Sequence, residues 1–243
     1  MIRAFLAALA VALCAAPAAA QGAGDWRVTV QPYVWATGVS GTIRPTAGAP
    51  TFAFSQSIGE SLSTVDGAFS AAVSAQRDRF VILGDFSAVS TSRAGTVPPG
   101  LPARAGTSTT TFTLAAGWQV HAEPTATVDV FAGIRAFWLG ARVEVPPGTT
   151  VADRSLNFVD PIVGARVITR LAPQWSAMLY ADIGGFGAGS KLTVVASGMI
   201  NYHVSPSFTL SGGIRVMALS YDDGNTKADV TLAGPILGVS WRF

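Results

Sequence analysis

Apolar and polar side chains alternate one by one along most of the chain. Between Trp26 and Thr37 the even positions are Trp26, Val28, Val30, Pro32, Val34 and Ala36. The odd ones are Arg27, Thr29, Gln31, Tyr33, Trp35 and Thr37. The split recurs where Val128, Val130, Ala132, Ile134, Ala136 and Trp138 oppose Asp129, Phe131, Gly133, Arg135 and Phe137. It recurs again where Ala233, Pro235, Leu237, Val239, Trp241 and Phe243 oppose Gly234, Ile236, Gly238, Ser240 and Arg242. A period of two places alternate side chains on opposite faces of a strand. Ten such segments are predicted, near 26–38, 65–76, 79–90, 109–120, 127–144, 156–170, 175–184, 192–204, 208–221 and 229–243. Eight strands is the alternative, if 65–90 packs differently.

The connections carry a second pattern. Those after even-numbered strands are short: QRDR, HAEPTA, APQ and SPS. Those after odd-numbered strands are mostly long, with GGFGAGSK and YDDGNTKA as exceptions. Short periplasmic turns, longer external loops and an even strand number characterise outer-membrane β-barrels. The expected fold class is therefore all-β, a closed antiparallel transmembrane β-barrel with both termini periplasmic. No sheet edge is tolerated in lipid, so the last strand must pair with the first. Trp26, Trp241 and Phe243 are the expected closure and interface anchors, joined at the turn-proximal ends by Trp118, Trp175 and Phe208. Trp138, Tyr221 and Phe186 would mark the outer interface. Pro32, Pro161 and Pro235 fall inside strands and each removes a ladder donor, so bulges are expected there.

Composition changes the picture by naming the solvent. Hydrophobic residues make up 49%, charged residues 12%, and mean hydropathy is +0.42, against roughly 25% charged residues in soluble domains. Beyond the N-terminal segment no run approaches the ~20 apolar residues of a membrane helix. Residues 1–20, with Arg3, an uncharged run and small residues ending in Ala18 and Ala20 in an A-x-A arrangement, read as a signal peptide cleaved before Gln21, leaving 21–243 as one barrel. Leu13 before Cys14 excludes a lipid-attachment site, and the mature chain then has no cysteine. The net charge of +2 argues against nucleic acid, whose binders carry clustered basic faces. No phosphate loop or His/Cys metal spacing is present, so no cofactor is expected. The partners expected of such a chain are outer-membrane lipid, lipopolysaccharide and, during insertion, the barrel-assembly machinery.

Several motifs together resemble a family of uncharacterised proteobacterial outer-membrane β-barrel proteins, in the broad OmpA/OmpW-like barrel group. They are Pro32-Tyr33-Val34-Trp35 with Gly38 and Gly41, and Val159-Asp160-Pro161 with Gly164 and Arg166. Asp182-Ile183-Gly184-Gly185-Phe186-Gly187 with Gly189-Ser190 follows, then Gly234-Pro235, Gly238 and Trp241-Arg242-Phe243. Lys191 departs from the pattern, which has an acidic residue there. The resemblance implies the fold and the location, and no activity.

Inside the barrel, Gly-x-Arg recurs at Gly133-Arg135, Gly164-Arg166 and Gly213-Arg215, and parity turns Asp85, Asp160 and Asp182 inward as well. Buried charges must be paired, so a lumen network of Arg135, Arg166, Arg215, Asp85, Asp160 and Asp182 is expected, with each glycine clearing room for its arginine. It either plugs the bore or lines a narrow polar pore. An enzyme would need a base near a nucleophile. The two histidines, His121 and His203, fall at periplasmic turns, and Asp222, Asp223 and Asp229 read as turn chemistry; no enzyme is expected. A third reading, surface interaction, rests on the 39–64 loop, where Phe54, Ile58 and Leu62 of FSQSIGESL would share one side of a short turn.

Overall fold

The computed structural model describes residues 26–97, 100–145 and 149–243. The predicted signal peptide lies outside them. The described residues form twelve strands and one short helix. They are β1 (Arg27–Trp35), β2 (Gly38–Arg44), β3 (Phe52–Gln56), α1 (Ile58–Ser63), β4 (Val65–Arg77), β5 (Phe80–Val97), β6 (Leu101–Ala122) and β7 (Ala126–Val145). Then follow β8 (Thr149–Ala172), β9 (Trp175–Gly185), β10 (Leu192–His203), β11 (Phe208–Asp222) and β12 (Lys227–Arg242).

Ten strands close a barrel in the order β1, then β4 through β12, and β12 pairs back to β1 with Val30 opposite Trp241 and Val34 opposite Leu237. The ladder is extended by Phe243, whose backbone N–H donates to the Val28 carbonyl at 2.8 Å. The eight-strand alternative is excluded: β4 pairs along its length with β5, from Arg77 opposite Phe80 to Val65 opposite Thr91. Their two-residue turn places Asp78 at φ 52, the left-handed conformation that tight hairpins demand.

The outward face is apolar. Val34, Leu179, Ile214 and Leu237 are each more than 60% exposed, which in water would be a large penalty and in hydrocarbon is the stable arrangement. Aromatic pairs ring the turn end: Trp26 with Phe80, Trp175 with Tyr202, and Phe208 with Trp241. The outer girdle includes Trp138, which lies opposite Thr110 of β6, eight residues above Trp118. At about 3.4 Å per residue and a tilt of about 40°, that spacing is about 21 Å along the normal, close to the ~25 Å apolar band of such barrels. Tyr221, expected on this outer girdle, instead points inward, is buried, and packs on Phe158 with centroids 5.1 Å apart; its odd parity on β11 matches that of Arg215.

Three further expectations are corrected. Bulges occur at Val65/Gly67, Gln119/His121, Val143/Glu144 and Arg170/Ala172, and not at the prolines. Each proline instead sits where pairing on one side ends or is interrupted. Pro32 is the last β1 residue paired with β4, Pro161 lies one residue above the first β8–β9 pair, and Pro235 faces the break between β1 and β2. Second, the segment 39–64 is not a loop. β2 continues the line of β1 along β12, from Gly38 opposite Ala233 to Arg44 opposite Lys227, and β3 folds back on β2. Ser57 caps α1 through a reciprocal capping box with Glu60, and Phe54 belongs to β3 rather than to the Ile58/Leu62 helix. Third, much of the connections expected after Ser90 and Glu144 is itself strand. β5 and β6 stay paired from Thr91 opposite Thr107 to Val97 opposite Leu101, about 20 Å of ladder beyond the outer girdle. β7 and β8 extend likewise to Val145 opposite Thr149.

Candidate functional site

Among the described residues the buried ion pairs gather in the lumen. It is filled in layers, because inward side chains of neighbouring strands share a level. Nearest the turns, Arg166 donates to Asp129 at 2.9 and 2.7 Å, and Gln119 bridges Asp129 to Gln76. Above it Phe131 stacks on Tyr180 at 5.3 Å. The middle layer holds two ion pairs. Arg135 grips Asp182 in a two-pronged contact at 2.8 and 2.6 Å, with its Nε donating to Thr113 and the Tyr180 hydroxyl donating to the same carboxylate. Arg215 pairs with Asp85 at 3.1 Å and with the Tyr33 hydroxyl at 2.9 Å, and Tyr33 donates in turn to Asp85. The Arg215 guanidinium also lies 5.0 Å from the Trp35 ring, a cation–π contact strengthened by its burial.

Over these pairs sits an aromatic layer. Phe137 stacks on Phe158 at 4.7 Å, Tyr221 adds a third ring, and Val195 and Met217 pack beside them. Phe137 and Val195 are 2% and 1% exposed, so both are tightly packed at this level.

Of the sequence-expected network, Arg135, Asp182, Arg215 and Asp85 come together at mid-depth, and Arg166 sits below with Asp129, a partner left out of the candidate set although its parity is inward. Among the described residues Asp160 forms no ion pair with an arginine. Its carboxylate accepts from the Ser190 N–H and hydroxyl at 2.7 Å each, and from Thr193, and so ties the β9–β10 turn to β8. Thr113, Tyr33 and Tyr180 were also missed; their inward parity was the available signal. The glycines do not serve the arginines directly. A Cβ on Gly213 would lie 2.0 Å from the Gly198 carbonyl oxygen, and one on Gly164 would meet the Phe131 ring at 2.6 Å. Backbone approach on the concave face, rather than arginine volume, requires glycine there.

The remaining candidates resolve into local structure. His203 is hydrogen-bonded to Ser176 and Thr209, each at 3.0 Å, and His121 faces Glu123 at the turn end. Asp223 accepts the Asn225 and Thr226 N–H groups, and Asp222 takes Lys191 at 2.8 Å. The Lys191 hydrogen bond holds the Asp222 carboxyl below its ordinary range, and the Thr226 N–H does the same for Asp223. Among the described residues no group of His, Cys, Asp and Glu could hold a metal ion.

No family model and no curated protein matches the sequence. Solved structures do. The outer membrane protease OmpT from Escherichia coli superposes with a TM-score of 0.57 at 10% identity, covering 94% of this chain and 100% of that one. The transport unit of the autotransporter AIDA-I from Escherichia coli gives 0.44 at 10% identity over 97% and 96% of the two chains. The attachment invasion locus protein Ail of Yersinia pestis gives 0.43 at 10% identity over 90% and 99%. At such identities the likeness is one of fold: the chain shares the outer-membrane β-barrel architecture.

Proposed function

We propose that the chain is a non-conducting barrel of the Gram-negative outer membrane with a structural role, which holds the sheet of β5–β8 above the lipid. The reading is carried by one observation: the packed Phe137, Phe158 and Tyr221 rings lie in the lumen over the Arg135–Asp182 and Arg215–Asp85 ion pairs. Ion conduction needs a continuous polar path, and stacked rings in van der Waals contact interrupt it. The apolar exterior and paired girdles support placement in a membrane, and the short turns support a periplasmic position for the strand ends at Arg27 and Arg242. Lipid and lipopolysaccharide are then the molecules that surround the barrel. The reading gives His121 and His203 no catalytic part.

Planar-bilayer recording of refolded protein tests it. The wild type is expected to be silent, and the Phe137→Ala/Phe158→Ala double variant to show small conductance steps. Steady wild-type conductance would overturn the closed-lumen reading in favour of a narrow pore. Phe137→Ala alone, which removes one face of the stack, is expected to cost about 3–5 kcal/mol in urea-induced unfolding from vesicles.

A further inference from the structure

Between its ion-pair layers the lumen is not full. A cavity of about 130 Å³ touches both layers: Arg135, Arg215 and Asp85 line it, and so does Arg166, nearer the turns. Part of its wall is apolar, formed by Leu83, Met178, Met199 and Ile236. Met199 and Ile236 are buried and pack with Tyr33 and Met178, so this wall is fixed. An apolar core cavity of ~150 Å³ accepts a benzene molecule. The space here suits a body about one ring in size.

The charged residues that line it are compensated. Arg135 holds Asp182, Arg166 holds Asp129, and Arg215 holds Asp85. An ion entering this space would arrive without a partner and bear the cost of desolvation, which a neutral occupant avoids. The three carboxylates differ in one respect. Asp182 and Asp129 are 0% and 2% exposed, whereas Asp85 is 22% exposed and lines the cavity. Its neighbours across the ladders, Ala72 on β4 and Thr113 on β6, line the same space. A carboxylate offers about four acceptor positions. Asp85 Oδ2 accepts from the Tyr33 hydroxyl at 2.9 Å and from Arg215 Nη1 at 3.4 Å. Among the described residues Oδ1 accepts from Arg215 Nη2 alone, at 3.1 Å, and so keeps a position open. A charged acceptor beside apolar walls rewards a neutral donor strongly.

We propose that this cavity is a binding site for a small neutral hydroxy compound about one ring in size. Its hydroxyl donates to Asp85 Oδ1. Its apolar body rests on Leu83, Met178, Met199 and Ile236, where the polarizable thioethers suit a flat ring. The cavity extends to Thr29 and Ser74, which pair with each other near the start of β1 at Arg27, so the compound enters from the turn end. The site stands whether or not the Phe137, Phe158 and Tyr221 rings block ions.

The test uses the refolded protein in nanodiscs of zwitterionic lipid, with empty discs as the blank. Fluorine NMR follows p-fluorophenol and, as the same ring without the donor, fluorobenzene. The phenol is expected to bind saturably and about tenfold more tightly than fluorobenzene, the gain from one hydrogen bond to a carboxylate. Ala72→Leu fills the space beside Asp85 without touching an ion pair, and is expected to weaken both probes by about tenfold or more. The Asp85→Leu/Arg215→Met double variant replaces the pair by apolar side chains and leaves neither charge unpaired. It is expected to bring the two probes to equal affinity. Unboiled gel mobility verifies that each variant is folded. Absence of saturable binding at millimolar p-fluorophenol overturns the proposal, as does equal affinity of the wild type for the two probes. So does binding that Ala72→Leu leaves untouched, or a preference for the phenol that persists in the double variant. Tighter binding of p-fluorobenzoate or p-fluorobenzylammonium would make the occupant an ion and overturn it as well.

Discussion

At the scale of single residues, the lumen sets charges where water cannot rescue them. Arg135 and Asp182 have side chains 1% and 0% exposed. Removing one partner of such a pair leaves the other buried and uncompensated, at about 3–5 kcal/mol. Asp182→Ala is therefore expected to destabilise the barrel by that amount in urea unfolding from vesicles, and Asp129→Ala by less, since Arg166 retains access to water. The inward direction of both residues was legible from period-two parity. Their partners were not, because parity fixes a face and register fixes a neighbour: Asp160 lies opposite Arg135 on β8, yet the arginine reaches Asp182. Outside the lipid, the β11–β12 turn responds to acid. Asp222 and Asp223 titrate below their ordinary value of 3.8 in the folded chain. Their contribution is thus complete above that value and lost as pH falls through the lowered one. Amide exchange at Gly224, Asn225 and Thr226 should accelerate there while the barrel ladders stay protected.

At the scale of elements, the surprise is how much ladder lies beyond the membrane band. Thr91–Val97 and Leu101–Thr107 are rich in Gly, Pro, Ser and Thr, a composition that marks loops in a single sequence. They pair because each emerges from the lipid already in register with its neighbour, so each further pair adds hydrogen bonds at little loop-closure cost. The same logic explains the prolines: taken alone they argue against strands, and the topology places each where pairing on one side ends or is interrupted. The β9–β10 turn is the most constrained connection. Gly185 adopts φ 92, and a Cβ there would lie 2.5 Å from the Ser190 hydroxyl. Gly185→Ala is expected to cost about 1–3 kcal/mol and to release the hold of Ser190 on Asp160, read as faster exchange at Ser190 with Val195–Met199 unchanged.

At the scale of the whole molecule, strand number and closure were legible because lipid permits few alternatives: a spanning sheet must have no edge. The proposed orientation, with short turns periplasmic, can be measured. Trypsin added to intact cells is expected to cut at Arg93, Arg104 or Arg154, in the extended hairpins, and to spare Arg79 and Arg170 until the cells are opened. Cleavage in the opposite order would invert the molecule in its membrane. The joint between first and last strands also governs assembly in time. Tyr33 and Arg215 meet across 182 positions of sequence, and β12 must be made before β1 has its second neighbour. Contacts so distant along the chain form slowly. The polypeptide therefore has to be delivered whole, and kept from premature pairing, before the lipid can receive it.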